Sequence, residues 1–226
     1  MGIGTLVPMP TLALDLAETS VFFDFDGTLS AVDIGKHLLE RLGPPEWRDI
    51  ERRFISGEIS SRECVLDHWD MLPHDETLLR EVAREVPLDP GFAPLLEALR
   101  RAGAEVTVVS DGFGFYVHEH CAPFGVDILT NEPDFTTGRL DFPHEDRCCA
   151  CSSCGTCKQA PVKHARYRGR TTILVGDGTS DAKAALLCDV VFAKAELGAW
   201  CERSGVAFTP YDTLADVAAE LLGTGS

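Results

Sequence analysis

The chain has 226 residues, of which 45% are hydrophobic and 25% charged, and a formal net charge of -16, which suits one soluble globular domain or one domain with a modest insertion. The acidic surplus argues against nucleic acid and anionic membrane surfaces as main partners but still admits a small-molecule phosphate ester, because a local cation can outweigh the overall field. No apolar run approaches the roughly 18 residues that span a bilayer, no basic stretch opens a secretory signal, and nine cysteines in a chain able to build a core do not mark a disulfide scaffold, so a cytoplasmic monomer or homodimer is expected.

Residues 1–17, with Gly2, Gly4, Pro8 and Pro10, read as a loose tail. Val21 to Leu29 reads Val-Phe-Phe-Asp-Phe-Asp-Gly-Thr-Leu, a buried parallel strand ending in Asp24 and broken at Gly27. Asp24 and Asp26 then sit at the carboxyl end of the strand, the ligand crevice of an open α/β sheet. A period of two points both carboxylates one way and Phe25 the other. The plainer alternative is a solvated Asp-Gly turn.

The pattern next turns helical. Ile34, Leu38, Leu39 and Leu42 share one helix face that stops at Gly43-Pro44, and Trp47, Ile50 and Phe54 mark a second helix ending near Gly57. Ser60 and Glu63 form a capping box for a third helix, which buries Val65, Trp69 and Leu72. A fourth carries Leu78, Leu79, Val82 and Val86. Four amphipathic helices with no strand between them predict a separate helical unit over residues 31–87, leaving 18–30 and 88–226 as the α/β core.

From Phe92 helix and strand alternate again. Phe92, Leu95, Leu96 and Leu99 form a stripe that stops at Gly103, and the strand Glu105 to Val109 ends in Ser110-Asp111-Gly112. Ser110 is expected to match the position of Asp24 in the first strand. A third strand, Thr171 to Val175, ends in Gly176-Asp177-Gly178-Thr179-Ser180-Asp181. Val190 to Ala193, a helix from Ala195 to about Ser204, and a helix from Thr213 to Leu222 complete a doubly wound, Rossmann-like parallel sheet. Thr130 to Lys158 shows no clear periodicity and holds Cys148, Cys149, Cys151, Cys154 and Cys157.

Three buried strands ending in small and acidic residues suggest one site. Asp24, Asp177 and Asp181 would converge as hard oxygen ligands of the kind that suit Mg²⁺ beside a substrate phosphate. With that charge neutralised, one carboxylate can attack phosphorus. Backbone N–H groups after Ser110, at Asp111 and Gly112, would hold phosphate oxygens, and Lys158 would balance charge in the transition state. Ser110 as a helix cap, Asp181 as a helix-start acid and Lys158 as a solvated side chain following a cysteine loop are the plainer readings.

Asp24-Phe25-Asp26-Gly27-Thr28, Ser110, Lys158 and Gly176-Asp177 to Asp181 resemble the four ordered motifs of the haloacid dehalogenase superfamily of phosphatases. The helical block resembles the cap of that superfamily inserted after the first strand. The resemblance implies Asp24 as nucleophile and Asp26 as general acid and then base. It implies the Asp26 carbonyl, Asp24 and Asp177 on Mg²⁺ with Asp181 a direct or nearby ligand, and Ser110 and Lys158 on the transferring phosphoryl group. Asp26 would need a raised pKa, as expected of a carboxylate beside other carboxylates. Pro44-Pro45-Glu46-Trp47, Phe142-Pro143-His144 and Cys154-Gly155-Thr156-Cys157-Lys158 resemble the 2-hydroxy-3-keto-5-methylthiopentenyl-1-phosphate phosphatases of bacterial methionine salvage. Phosphoserine phosphatases are the more distant resemblance. Their cap Glu is here Asp33, and rough alignment puts Asp67 or His68 where their carboxylate-binding Arg would stand. Trp47 and Trp69 are either an apolar wall for substrate or cap core.

Cys148, Cys151, Cys154 and Cys157 recur every third residue within the loop 144–157, near both zinc and iron–sulfur spacings. A structural Zn²⁺, reduced thiols and local disulfides all remain open, with His144 a further candidate ligand. Cys64, Cys121, Cys188 and Cys201 read as small core residues. Phosphomonoester hydrolysis is the leading function and a phosphotransferase using the same aspartate is second. A dehalogenase has no need of Asp26 or the Gly-Asp-x-x-x-Asp motif, and a metal-binding interaction module would leave the acidic strand ends unexplained.

Overall fold

In the computed structural model, which describes residues 14–145 and 153–223, strand β1 (Thr19–Phe23) lies in the middle of a seven-stranded sheet and is buried along its length. Four helices follow it: α1 (Ile34–Leu42), α2 (Trp47–Ile55), α3 (Ser61–Asp70) and α4 (Glu76–Ala83). Helix α5 (Phe92–Arg101) leads into β2 (Glu105–Phe113), and α6 (Gly114–Cys121) into β3 (Asp127–Asp134) and β4 (Arg139–Asp141). Next come α7 (Gln159–Tyr167), β5 (Thr171–Gly176), the short α8 (Ala182–Ala185) and β6 (Val190–Ala193). Helix α9 (Ala195–Ser204), β7 (Thr209–Pro210) and α10 (Leu214–Leu222) close the chain. The sheet order is β4-β3-β2-β1-β5-β6-β7, parallel throughout except for the β3–β4 pair. The parallel sheet expected from the sequence is therefore present, with one antiparallel strand added at its edge.

Alternation along the strands builds the two covered faces. Val21 and Phe23 of β1 and Ile173 and Val175 of β5 join Leu95, Leu99 and Leu214 in one apolar cluster. Phe22 and Leu174, one residue out of phase, join Val162, Val191, Leu197 and Cys201 on the opposite face. Burying each such side chain contributes about 1.5–3 kcal/mol, so a one-residue slip in register would be severely penalised. The chain leaves β1 toward β2 on one side and returns to β5 on the other. The carboxyl ends of β1 and β5 thus flank the point where strand order reverses, where α/β sheets hold ligands.

Helix α1 stops at Leu42 before Gly43, as the pattern has it, whereas α3 and α4 stop at Asp70 and Ala83, short of Leu72 and Val86. Asp33, Ser60 and Asp75 cap α1, α3 and α4 through their side-chain oxygens, and the Ser60–Glu63 capping box is complete. The buried residues of α1, α3 and α4 continue into the cluster on the sheet face, and Trp69 packs on Phe113 with ring centroids 5.2 Å apart. Trp69 Nε1–H donates to the Gly138 carbonyl at 2.8 Å. Trp47 and Trp69 are both core and neither lines the site pocket, which removes them as a substrate wall. The segments entering and leaving the helical block run side by side: Ala31 N–H donates to Pro87 O and Asp89 N–H to Leu29 O.

Local expectations fail at several points. Strand β1 stops at Phe23, although Asp24 N–H still donates to Val175 O at 2.9 Å. Strand β2 runs on to Phe113 through an irregularity, and its register pairs Phe23 with Val108, so Ser110 lies level with Phe25 and not with Asp24. The aperiodic stretch after Thr130 contains half of β3 and all of β4, joined by a turn in which Asp134 accepts from Thr136 N–H and Gly138 takes a φ of +72°. Strand β4 is a three-residue edge strand, and β3 is polar from Thr130 to Asp134, so neither shows the apolar alternation that marks a buried strand there. The tail is shorter than expected, since Leu14 and Leu16 already pack on the core. Residues 1–13 lie outside the described residues.

Candidate active site

The site is built from strand ends. Asp24 is buried; its Oδ1 accepts from the Phe25 N–H at 2.7 Å and pairs with Lys158 Nζ at 2.7 Å. Phe25 turns the other way into the core, 5.8 Å from the Tyr116 ring, and so fixes the two flanking carboxylates toward the pocket. Asp177 follows β5 and accepts from Thr28 Oγ1 at 2.8 Å. Asp181, fully buried in a 3-10 turn, accepts from Lys158 Nζ at 2.8 Å and from Gly178 N–H at 3.2 Å. Gly27 is required between them: its φ is +77°, and a Cβ there would lie 2.4 Å from Asp177 Oδ2.

Lys158 does not dangle from a loop. It caps the start of α7, with its side chain buried between Asp24 and Asp181. Burial pulls its pKa down, but Asp181 and Asp24 outweigh that and hold it above the ordinary lysine value. One lysine cannot neutralise three carboxylates, of which Asp24 and Asp181 are buried and Asp177 half-buried. Burial, then Asp181, raises the Asp24 pKa well above its usual value, against the pull of Lys158. Burial and Asp181 likewise lift Asp177 to about 6. One oxygen from each of Asp24, Asp177 and Asp181 falls within 4.8 Å of the others. This under-neutralised set of hard oxygens fits a divalent cation such as Mg²⁺.

Asp26 has a different environment. Its Oδ2 accepts from Tyr116 Oη at 2.8 Å and Ser110 Oγ at 3.5 Å, and its Oδ1 from Ile34 N–H at 2.9 Å at the start of α1. Burial first and Asp33 second push its pKa up to about 7. The raised value expected from neighbouring carboxylates is there, but desolvation is its larger cause. Tyr116 lies on α6, and the Phe113–Tyr116 run carries no local pattern that marks it as a site residue.

Ser110 and the residues after it behave differently from expectation. Gly112 N–H donates to Ser110 Oγ at 2.9 Å, so it is already engaged. The Asp111 carboxylate accepts from Thr156 N–H at 2.7 Å and from the Ser61 hydroxyl, tying α3 to the segment before Lys158. Asp33 lines the pocket, caps α1 and pairs with Lys36 Nζ at 3.4 Å. Lys36, which also pairs with Glu51 at 2.8 Å, is the one Lys or Arg among the described lining residues. Its i, i+3 relation to Asp33 was the available sequence signal. The pocket, a cavity of about 150 Å³, lies between these strand ends and helices α1 to α3, where Phe54, Ile55 and Val65 add apolar wall.

Of the cysteine set, Cys148 and Cys151 lie outside the described residues, Cys154 is half-buried and Cys157 buried. Among the described residues, the two groupings able to hold a metal are Asp24/Asp177/Asp181 and Glu51/Cys64/His68, so the described part of the loop lends no support to a zinc site there.

The family model for haloacid dehalogenase-like hydrolases matches residues 21–186, from β1 through the motif at Asp177–Asp181. The chain belongs to the haloacid dehalogenase-like hydrolases. A 2-hydroxy-3-keto-5-methylthiopentenyl-1-phosphate phosphatase from Exiguobacterium sp. (strain ATCC BAA-1283 / AT1b) is 32% identical over 214 residues, covering 91% of this chain and 98% of the relative. Among solved structures, a phosphoserine phosphatase from T. onnurineus superposes with a TM-score of 0.71 at 19% identity, covering 95% of this chain and 99% of that one. A phosphoserine phosphatase holding a phospho-aspartyl intermediate analogue gives 0.70 at 19% identity, covering 88% and 96%. At such identities these structures speak for the haloacid dehalogenase-like fold alone.

Proposed function

We propose that the protein is a Mg²⁺-dependent phosphomonoester hydrolase that works through an aspartyl-phosphate on Asp24. The observation that carries this reading is the contrast between the partners of neighbouring carboxyls: Asp24 pairs with Lys158 in an acidic cluster that fits a cation, while Asp26 is held outside that cluster by the Tyr116 hydroxyl and the Ile34 N–H. Such a pair divides nucleophile from acid–base catalyst. Asp24, Asp177, Asp181 and the Asp26 carbonyl would hold Mg²⁺, which when bound supplies the positive charge that lets a phosphate dianion enter this acidic pocket.

An Asp24 carboxylate oxygen attacks phosphorus as the bond to the ester oxygen breaks, and Asp26 gives its proton to the departing alcohol. Asp26, now ionised, takes a proton from water as that water attacks phosphorus. The bond between phosphorus and Asp24 breaks, releasing inorganic phosphate and restoring both carboxyls. Lys158 steadies Asp24 throughout, and Tyr116 and the Ile34 N–H hold Asp26 in place. Asp24→Asn removes charge and nucleophile at constant size and should abolish Mg²⁺-dependent release from p-nitrophenyl phosphate while the fold survives. Activity within tenfold of wild type would sink the mechanism.

For substrate, the methionine-salvage enol phosphate named by the 32% identical relative fits better than phosphoserine. The apolar wall of Phe54, Ile55 and Val65 suits a thioether tail. The only Lys or Arg among the described lining residues is Lys36, already shared by Asp33 and Glu51, which leaves the carboxylate of phosphoserine without a cation of its own. Helices α1 to α4 act as the cap that sets this choice. Comparing kcat/KM for both esters on one Mg²⁺-loaded preparation tests it, and a preference for phosphoserine would overturn it.

A further inference from the structure

The pocket wall facing Asp24 and Asp26 carries a second cluster of ligating side chains that phosphoryl transfer leaves unused. Cys64 and His68 stand at i and i+4 on α3, stacked on one helix face, and Glu51 reaches them from α2. One ligand atom of each lies within 4.8 Å of the other two. Cys64 and His68 are 6% and 8% exposed, so burial has already removed most of the water a bound ion would displace. Cys64 Sγ is 3.9 Å from both ring nitrogens of His68, one of which donates to the Trp47 carbonyl and so leaves the other for an ion. A tetrahedral ion with bonds of about 2.3 Å to sulfur and about 2.0–2.1 Å to nitrogen holds those atoms about 3.5 Å apart. Cys64 and His68 need to close by only a few tenths of an ångström, and the Glu51 oxygen already lies within 4.8 Å of both.

We propose that Glu51, Cys64 and His68 bind a thiophilic divalent cation of the zinc class, with a fourth position open to the pocket. One thiolate, one imidazole and one carboxylate form a borderline-soft set that favours zinc or cobalt(II) over the magnesium suited to the all-oxygen cluster opposite. Three protein ligands with an open position also match zinc sites that take water or substrate as the fourth. Glu51 is held by Lys36 at 2.8 Å, and Lys36 also lies 3.4 Å from Asp33. An ion that takes Glu51 leaves Lys36 with Asp33, so no partly buried charge is stranded. Binding releases the Cys64 thiol proton to solvent. The site stands independently of the phosphatase reading, because it is read by the metal itself.

The test is titration of cobalt(II) into full-length, Mg²⁺-loaded protein under reducing, anaerobic conditions. The expected result is a thiolate-to-cobalt charge-transfer band that zinc abolishes and Mg²⁺ does not. The band should lose intensity in Cys64→Ala and persist in a Cys154→Ser/Cys157→Ser double variant. Glu51→Gln, which keeps shape and truncates nothing buried, should weaken binding about tenfold or more. The proposal is overturned if no band forms, if the band is undiminished in Cys64→Ala and so belongs to the loop thiols, or if Glu51→Gln binds cobalt as tightly as wild type.

Discussion

Gly112→Ala tests whether the rate depends on where the Asp26 carboxyl is held. A Cβ on Gly112 would lie 2.3 Å from Asp26 Oδ2, 2.2 Å from the Tyr116 hydroxyl and 3.0 Å from Ser110 Oγ. The Gly112 φ is not left-handed, so alanine strains these contacts and not its own backbone. Ordinary contact begins near 3.4 Å, so the Asp26 carboxyl and the hydroxyl that orients it must each retreat. The retreat is about 1 Å, and a misplacement of that size in a reacting group costs about 10²-fold, or ~2.7 kcal/mol on the barrier. The assay is kcat/KM with Mg²⁺ on an alkyl phosphate and on p-nitrophenyl phosphate, alongside a thermal melt. The full loss is expected for the alkyl ester and a smaller one for nitrophenyl, whose leaving oxygen needs less protonation. A loss on the alkyl ester below about threefold, or ~0.65 kcal/mol, would refute the assignment of Asp26 as the positioned acid.

The Asp26 carboxyl titrates near 7 in the fold against 3.8 for the unfolded chain, so the folded state binds more protons between those values and loses stability as pH rises through that window. In EDTA, the melting temperature of Asp26→Asn relative to wild type should therefore climb from about pH 4 to about pH 7; a flat difference refutes the raised pKa. Lys158→Met strands Asp24 and Asp181 without their buried cation and should cost about 3–5 kcal/mol in chemical denaturation, with Mg²⁺ restoring part of it, whereas wild-type stability would contradict the pairing. Helices α1 to α4, joined to the sheet through two adjacent connections at Leu29–Ala31 and Pro87–Asp89, should show slower hydrogen exchange when a metal fluoride phosphate mimic and Mg²⁺ are added. Unchanged exchange would make the helical block a fixed cover, held by contacts such as Trp69 on Phe113.

Much of this protein is written in local pattern. The alternation of Val21, Phe22 and Phe23 places a buried strand and both of its faces, because a period of two has one solution between two helical layers. The Ser60–Glu63 box and the stripe of Ile34, Leu38 and Leu39 place α3 and α1, since caps and i, i+4 spacing act within a few residues. Acidic residues at strand ends could be located the same way, and with them Asp24, Asp26, Asp177 and Asp181. Three things required the tertiary structure. Strand β4 and the polar second half of β3 owe their existence to pairing with neighbouring strands, which no run of residues reports on its own. Lys158 becomes a buried counter-ion only because α7 starts beside the ends of β1 and β5, and Tyr116 and Ile34 meet Asp26 only because α6 and α1 converge there. The Asp26 pKa is likewise a product of burial, and burial depends on what the rest of the chain packs around a side chain, not on the residues next to it.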